Sequence, residues 1–151
     1  MREGKNHYHF HSQWLIHAPV ATVYALINKA EAWPLWWPAV LIVRADTATD
    51  GAEMQHQEWR TPFGYSFSFD LKLIERQPNQ LLAAAVSGML EGTGIWRFAA
   101  VPEGCRVTFE WKVRTNVAWM NRLSWLLRPV FAYNHRLVMR QGRKGLERML
   151  G

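Results

Sequence analysis

His56 and Glu58 have the residue types and the spacing that acid/base chemistry requires. On a strand, whose side chains alternate with a period of two, both fall on one face. A carboxyl group drawn into an apolar interior has its pKa raised, and an imidazole beside it can share the proton. Such a pair would be a general acid/base for an apolar guest. The competing reading is that the two satisfy each other, or Arg60, at a cavity mouth, because buried polar groups need partners whether or not they catalyse. Asn134 lies on the inward stripe of a helical period near the C-terminus, with His135 on its edge. An amide there can hydrogen-bond a ligand oxygen or tie the helix to a strand end, and the sequence leaves both open.

His7, His9 and His11 share a strand face and offer imidazole nitrogens to a divalent metal. No carboxylate or thiolate stands at a matching spacing, so the expectation is an exposed face near a terminus, with no metal and no cofactor. Gly88, Gly92 and Gly94 lack the spacing and the following helix of a dinucleotide fingerprint and are read as hairpin residues, with Glu91 solvated in the turn. Neither a phosphate-binding loop nor a nucleophile elbow occurs. The single cysteine, Cys105, excludes an intramolecular disulfide and a cysteine-based metal cluster.

The elements that would position these residues follow from periodicity. Residues 7–17 alternate strictly, with Tyr8, Phe10, Ser12, Trp14 and Ile16 on one side and mainly histidines on the other. Pro19 opens a short helix, and a second short helical or turn segment ends in Trp33, Trp36 and Trp37 among prolines. These rings form either a lid over one end of a cavity or a plug in the core. Six strands are then expected at 39–48, 53–60, 64–76, 80–90, 94–101 and 105–116, with short connections that imply antiparallel neighbours. From 119 to 150 the period is helical, with Leu127, Phe131, Asn134, Val138, Gly142 and Met149 on one stripe.

Register decides which side chains face inward, since residues opposite one another on paired strands share a face. A two-residue turn at Glu103-Gly104 sets Val101 opposite Arg106, Phe98 opposite Phe109, Trp96 opposite Trp111 and Arg97 opposite Glu110. An even-length turn around Pro62-Phe63 sets Arg60 opposite Tyr65. It brings Glu58 beside Phe67 and His56 beside Phe69, in line with an inward row of Phe63, Tyr65, Phe67, Phe69, Leu71 and Leu73. An odd-length loop reverses this and sends Gln55, Gln57 and Trp59 inward.

A chain of 151 residues with 49% hydrophobic and 20% charged residues fits one folded domain spanning 1–151. Nine tryptophans and seven phenylalanines bring more flat apolar area than a compact core needs, so some should face a ligand or a surface. The net charge of +6 resides in residues 119–151, where seven cationic side chains stand against Glu147 alone. A solvated basic helix face is the plain reading. An anionic membrane surface is the alternative, while no nucleic-acid partner is expected. The N-terminus lacks the apolar core of a signal peptide and no stretch suits a membrane span, giving a cytoplasmic expectation.

The order of strand, two short helices, six strands and a long helix is that of the helix-grip fold. The chain resembles the START-like polyketide cyclase/dehydratase and lipid-transport superfamily (SRPBCC). The resemblance runs from Trp14-Leu-Ile-His-Ala-Pro-Val through Trp33-Pro-Leu-Trp-Trp-Pro and Ser87-Gly-Met-Leu-Glu-Gly-Thr-Gly-Ile-Trp96 to Asn134-His135, Gly142 and Gly145-Leu146. It implies an α+β domain whose seven-stranded curved antiparallel sheet wraps around the C-terminal helix, with a cavity between them for lipids, polyketides or isoprenoid-like molecules. It does not imply a reaction. The expected contacts are Trp36, Trp37, Phe67, Phe69, Trp96, Phe109, Trp111, Phe131 and Val138, with His56, Glu58 and Asn134 for orientation. A cyclase/dehydratase using His56 or Glu58 is the enzymatic alternative. A peripheral membrane or partner-binding module is the third reading, and a monomer and a homodimer fit equally.

Overall fold

The computed structural model describes residues 7–61 and 66–151. Strand β1 (His7–Ile16) is followed by helix α1 (Val20–Asn28) and a short 3-10 helix (Ala30–Leu35). Six strands then follow: β2 (Val40–Thr47), β3 (Glu53–Arg60), β4 (Ser66–Gln77), β5 (Leu81–Gly88), β6 (Leu90–Val101) and β7 (Gly104–Thr115). A short helix α2 (Ala118–Arg122) leads into the long helix α3 (Ser124–Leu150). All seven strands form one antiparallel sheet in the order β1-β7-β6-β5-β4-β3-β2. Each strand from β2 onward lies beside the next in sequence, and β1 closes the row against β7, as short connections favour. This is the α+β helix-grip arrangement.

The alternation of β1 puts Tyr8, Trp14 and Ile16 in the core while His9 and His11 stay exposed. The apolar interior has two parts. One gathers Trp14, Trp33, Trp36, Trp37, Trp96 and Phe98, and the other gathers Tyr8, Phe69, Val86, Val113, Met120 and Phe131. Trp33 and Trp37 are 5% and 1% exposed and donate their ring N–H groups to the backbone carbonyls of Ile27 (3.1 Å) and Val138 (2.9 Å). The tryptophans of the 33–37 segment are therefore core, not a mobile lid. α3 approaches them closely because Gly142 and Gly145 carry no side chain. A Cβ at Gly145 would stand 1.7 Å from the Trp36 carbonyl oxygen, and one at Gly142 would stand 2.5 Å from the Trp37 ring.

Register differs from expectation at three connections. The β6–β7 turn is Pro102-Glu103, so Val101 pairs with Gly104, Trp96 with Phe109 and Phe98 with Val107. The slip of two residues keeps every face, since the side-chain period is two, but it dissolves the expected Arg97–Glu110 pairing. The β5–β6 hairpin reverses around Met89, not at Glu91-Gly92, which lie within β6 opposite Arg114 and Val113. Gly88, at φ +105°, supplies the left-handed turn conformation there. Between β3 and β4 the last pair is Arg60 with Ser66, leaving the five residues 61–65 as an odd-length connection. The turn expected at 62–64 and the inward positions given to Phe63 and Tyr65 lie outside the described residues. The single C-terminal helix is in fact two, because Leu123 leaves helical geometry at φ −101° and ψ 17°. Met149, placed on the inward stripe, is 51% exposed. Among the described residues no helix is long and apolar enough to cross a membrane.

Candidate functional site

Between the concave face of the sheet and α3 the rings do not meet completely, and a cavity of about 200 Å³ remains. Its sheet wall is built from the inward positions of β4, β6 and β7, including Phe67, Phe69, Trp96, Phe109 and Trp111. Phe131, Asn134, His135 and Val138 of α3 cover the opposite side, at the three- and four-residue spacing that aligns side chains on one helix face. Trp37 closes one flank. The rings are interlocked: Trp96 lies 4.4 Å from Phe109 and Phe69 lies 5.4 Å from Trp111, centroid to centroid. That mutual packing gives the apolar wall a defined shape.

Two groups of polar side chains enter this apolar space, and they differ in how well they are satisfied. Along β3 the Trp59 indole N–H donates to Gln57 Oε1 (2.9 Å), and Gln57 Nε2 donates to Gln55 Oε1 (2.9 Å). Arg76 then grips Glu53 with two bonds of 3.1 and 2.7 Å and donates from Nε to Asn28 Oδ1 (3.1 Å). The Arg76 hydrogen bonds hold the Glu53 carboxyl below its ordinary pKa. This strip satisfies itself.

The second group, on β1 and α3, does not. Tyr8 OH and Asn134 Oδ1 are buried, line the cavity and find no hydrogen-bond partner among the described residues. Burial raises the Tyr8 pKa despite the Arg128 guanidinium 4.8 Å above its ring, so the phenol is un-ionised at neutral pH. Beside them His135 Nε2 lies 3.0 Å from Ser12 Oγ, and its ring stacks on Phe10 at 4.7 Å. Desolvation pushes the His135 pKa down to about 4, leaving a neutral imidazole. A buried, unpaired hydroxyl and amide carbonyl are costly to a folded chain unless something else meets them.

The structure places Trp37, Phe67, Phe69, Trp96, Phe109, Trp111, Phe131, Asn134 and Val138 on the cavity wall, as expected from the strand and helix periods. Trp36 is a correction. It lies behind the wall, stacked on Trp37 at 5.5 Å and packed against Gly145. His56 and Glu58 are the larger correction. The odd-length β3–β4 connection pairs His56 with Asp70 and Glu58 with Ser68, which turns both to the outer face and sends Gln55, Gln57 and Trp59 inward. Outside, His56 Nδ1 lies 2.8 Å from Asp70 and Nε2 lies 3.3 Å from Glu58. The partially exposed trio satisfies itself, and none of the three lines the cavity. His9 likewise meets Glu110 at 3.3 Å on the outside, and no metal-holding group of three or more His, Cys, Asp or Glu occurs among the described residues. Sequence reasoning did not single out Tyr8 as a lining residue. Its inward position was legible, but its unpaired hydroxyl depends on what faces it across the interior.

Residues 7–150 match the family described as polyketide cyclase/dehydrase and lipid transport. Among solved structures, the chain is similar to the di-domain ARO/CYC StfQ from the steffimycin biosynthetic pathway, with a TM-score of 0.71 and 18% identity over 97% of this chain and 53% of that one. It thus spans about half the length of that di-domain protein. It is also similar to the Zhui aromatase/cyclase from Streptomyces sp. R1128 (TM-score 0.71, 12% identity, 96% of each chain covered). A third similarity is to TTHA0849 from Thermus thermophilus (TM-score 0.74, 15% identity, 92% of this chain and 97% of that one). At these identities the structural likeness speaks to fold. No curated protein matches the chain. With nearly its whole length matched, the chain belongs to the polyketide cyclase/dehydrase and lipid transport family.

Proposed function

We propose that the protein binds a small, largely apolar aromatic molecule in the cavity between sheet and α3, with a polar atom of the guest meeting Tyr8 and Asn134. The observation that carries this reading is the pairing of an apolar hollow with two buried polar atoms that no described residue satisfies. Tyr24 Oη and Trp36 Nε1 are also buried without a partner among the described residues but stand off the cavity wall, so it is the coincidence of unpaired atoms with an apolar hollow that supports the reading. Size narrows the guest. An engineered apolar cavity of about 150 Å³ holds benzene, and pockets for drug-sized ligands run from about 300 Å³ upward. A cavity of about 200 Å³ suits one or two fused rings. Affinity comes from apolar burial, and the hydroxyl and amide select an oxygen-bearing guest over a plain hydrocarbon.

The test is a fluorescence titration with phenol, naphthol and anthrol, using naphthalene as the hydrocarbon control. Naphthol should bind most tightly and anthrol should be excluded. Asn134→Ala should reduce the preference of naphthol over naphthalene by about tenfold, the worth of one buried hydrogen bond. Equal affinity for all four probes, or an unchanged preference in the variant, contradicts the reading.

A cyclase-type reaction is the second reading. His135 supports it, because a neutral imidazole bonded to Ser12 at the cavity wall is in the form of a general base. Incubation with a poly-β-ketone thioester should then yield a cyclised product with the wild type. His135→Gln should lose turnover while retaining naphthol binding, and equal loss of both would assign His135 to binding alone.

A further inference from the structure

α3 has a second long face that the cavity does not use. At about 100° per residue, Trp125, Leu126, Pro129 and Tyr133 fall on its outer side, and Arg136, Arg140, Arg143 and Lys144 continue the same line toward the C-terminus. Trp125 is 72% exposed, and Leu126 and Tyr133 are about half exposed. Trp119 of α2, at 52%, and Leu123 extend the apolar end. The only carboxylate in residues 119–151 is Glu147, which lies 3.5 Å from Arg143. A helix face with large rings exposed to water at one end and four cations against a single carboxylate, Glu147, along the rest is not explained by the fold it belongs to.

From this line we infer that the outer face of α3, with α2, docks on an anionic lipid bilayer. The chemistry of the line matches the layers of that surface. Trp and Tyr rings with neighbouring leucines settle at the boundary of headgroups and acyl chains, and long cationic side chains reach the phosphates. A nucleic-acid backbone would meet the arginines but leave Trp125 and Leu126 exposed. The opposite side of the same turns carries Phe131 and Asn134 into the cavity. Docking therefore brings the cavity within about one helix diameter, 10–12 Å, of the lipid.

The experiment is co-sedimentation of the full chain with mixed phosphatidylcholine/phosphatidylserine vesicles and with phosphatidylcholine vesicles, at low and high salt. Binding should need phosphatidylserine and weaken as salt rises. Each cation near the surface is worth about fivefold, so the triple variant Arg136→Gln/Arg140→Gln/Arg143→Gln should lose about a hundredfold in affinity. Trp119→Ser/Trp125→Ser should lose at least tenfold and should also abolish quenching of tryptophan emission by brominated lipid. All five positions are exposed, and circular dichroism checks that each variant keeps the fold. Salt dependence of the wild type tests the same surface without any variant. Salt-insensitive binding, equal binding to both vesicle types, or full binding by the tryptophan variant overturns the inference. So does a solution dimer that Trp125→Ser converts to monomer, which would assign the face to a second copy of this chain.

Discussion

Tyr8 and His135 each carry a measurable cost for lining the cavity. The Tyr8 hydroxyl is buried without a partner, so Tyr8→Phe should raise the stability of the empty protein by about 1 kcal/mol, the desolvation penalty of one unpaired hydroxyl. Denaturant titration measures this, and the same variant should bind naphthol less tightly; a loss of stability would mean that the hydroxyl has a partner after all. His135 has a folded-state pKa of about 4 against an ordinary 6.5. The unfolded chain thus takes up a proton at a higher pH than the folded one. The stability this group confers is complete above about pH 6.5, falls as the pH drops toward 4 and levels off below. At 1.36 kcal/mol per pH unit the loss amounts to about 3 kcal/mol. Urea titrations at neutral pH and near pH 4 should show a decline in the wild type that His135→Gln shortens by most of that amount. At this scale the inward sets of β4, β6 and β7 could be read from alternation alone, which is why Phe67, Phe69, Trp96, Phe109 and Trp111 were identifiable. The satisfaction of Tyr8 and Asn134 was not, because it depends on groups brought opposite them from across the interior.

Among the elements, β3 and α3 decide what the cavity contains. The face of β3 turns on whether its connection to β4 has an even or an odd number of residues. A one-residue change exchanges the pair His56 and Glu58 for Gln55, Gln57 and Trp59. Composition cannot settle that parity, since Pro62 and Gly64 permit turns of either kind. The order of strands and the helical stripe of α3 were legible because they extend over many periods. The Trp36 position was not, because it depends on how closely α3 approaches. That approach rests on Gly145 and Gly142. Gly145→Ala drives a methyl group into the Trp36 carbonyl and should destabilise the fold by at least about 2–3 kcal/mol. Gly142→Ala presses on the Trp37 ring and on its hydrogen bond to Val138, and should cost about 1–3 kcal/mol while reshaping the cavity flank. Thermal unfolding of both variants checks the order; an unchanged Tm for Gly145→Ala would mean that α3 does not sit this close.

For the molecule as a whole, the sheet and α3 hold interlocked rings around a hollow, and among the described residues the lining atoms left unsatisfied are on β1 and α3. A crystal structure of the protein soaked with naphthol examines that arrangement directly. Density for two fused rings should lie among Phe69, Phe109, Trp111 and Phe131, with the hydroxyl within hydrogen-bonding distance of Asn134 Oδ1 or Tyr8 OH. Rings collapsed into a solid interior, or naphthol found only on the outer surface, would contradict it.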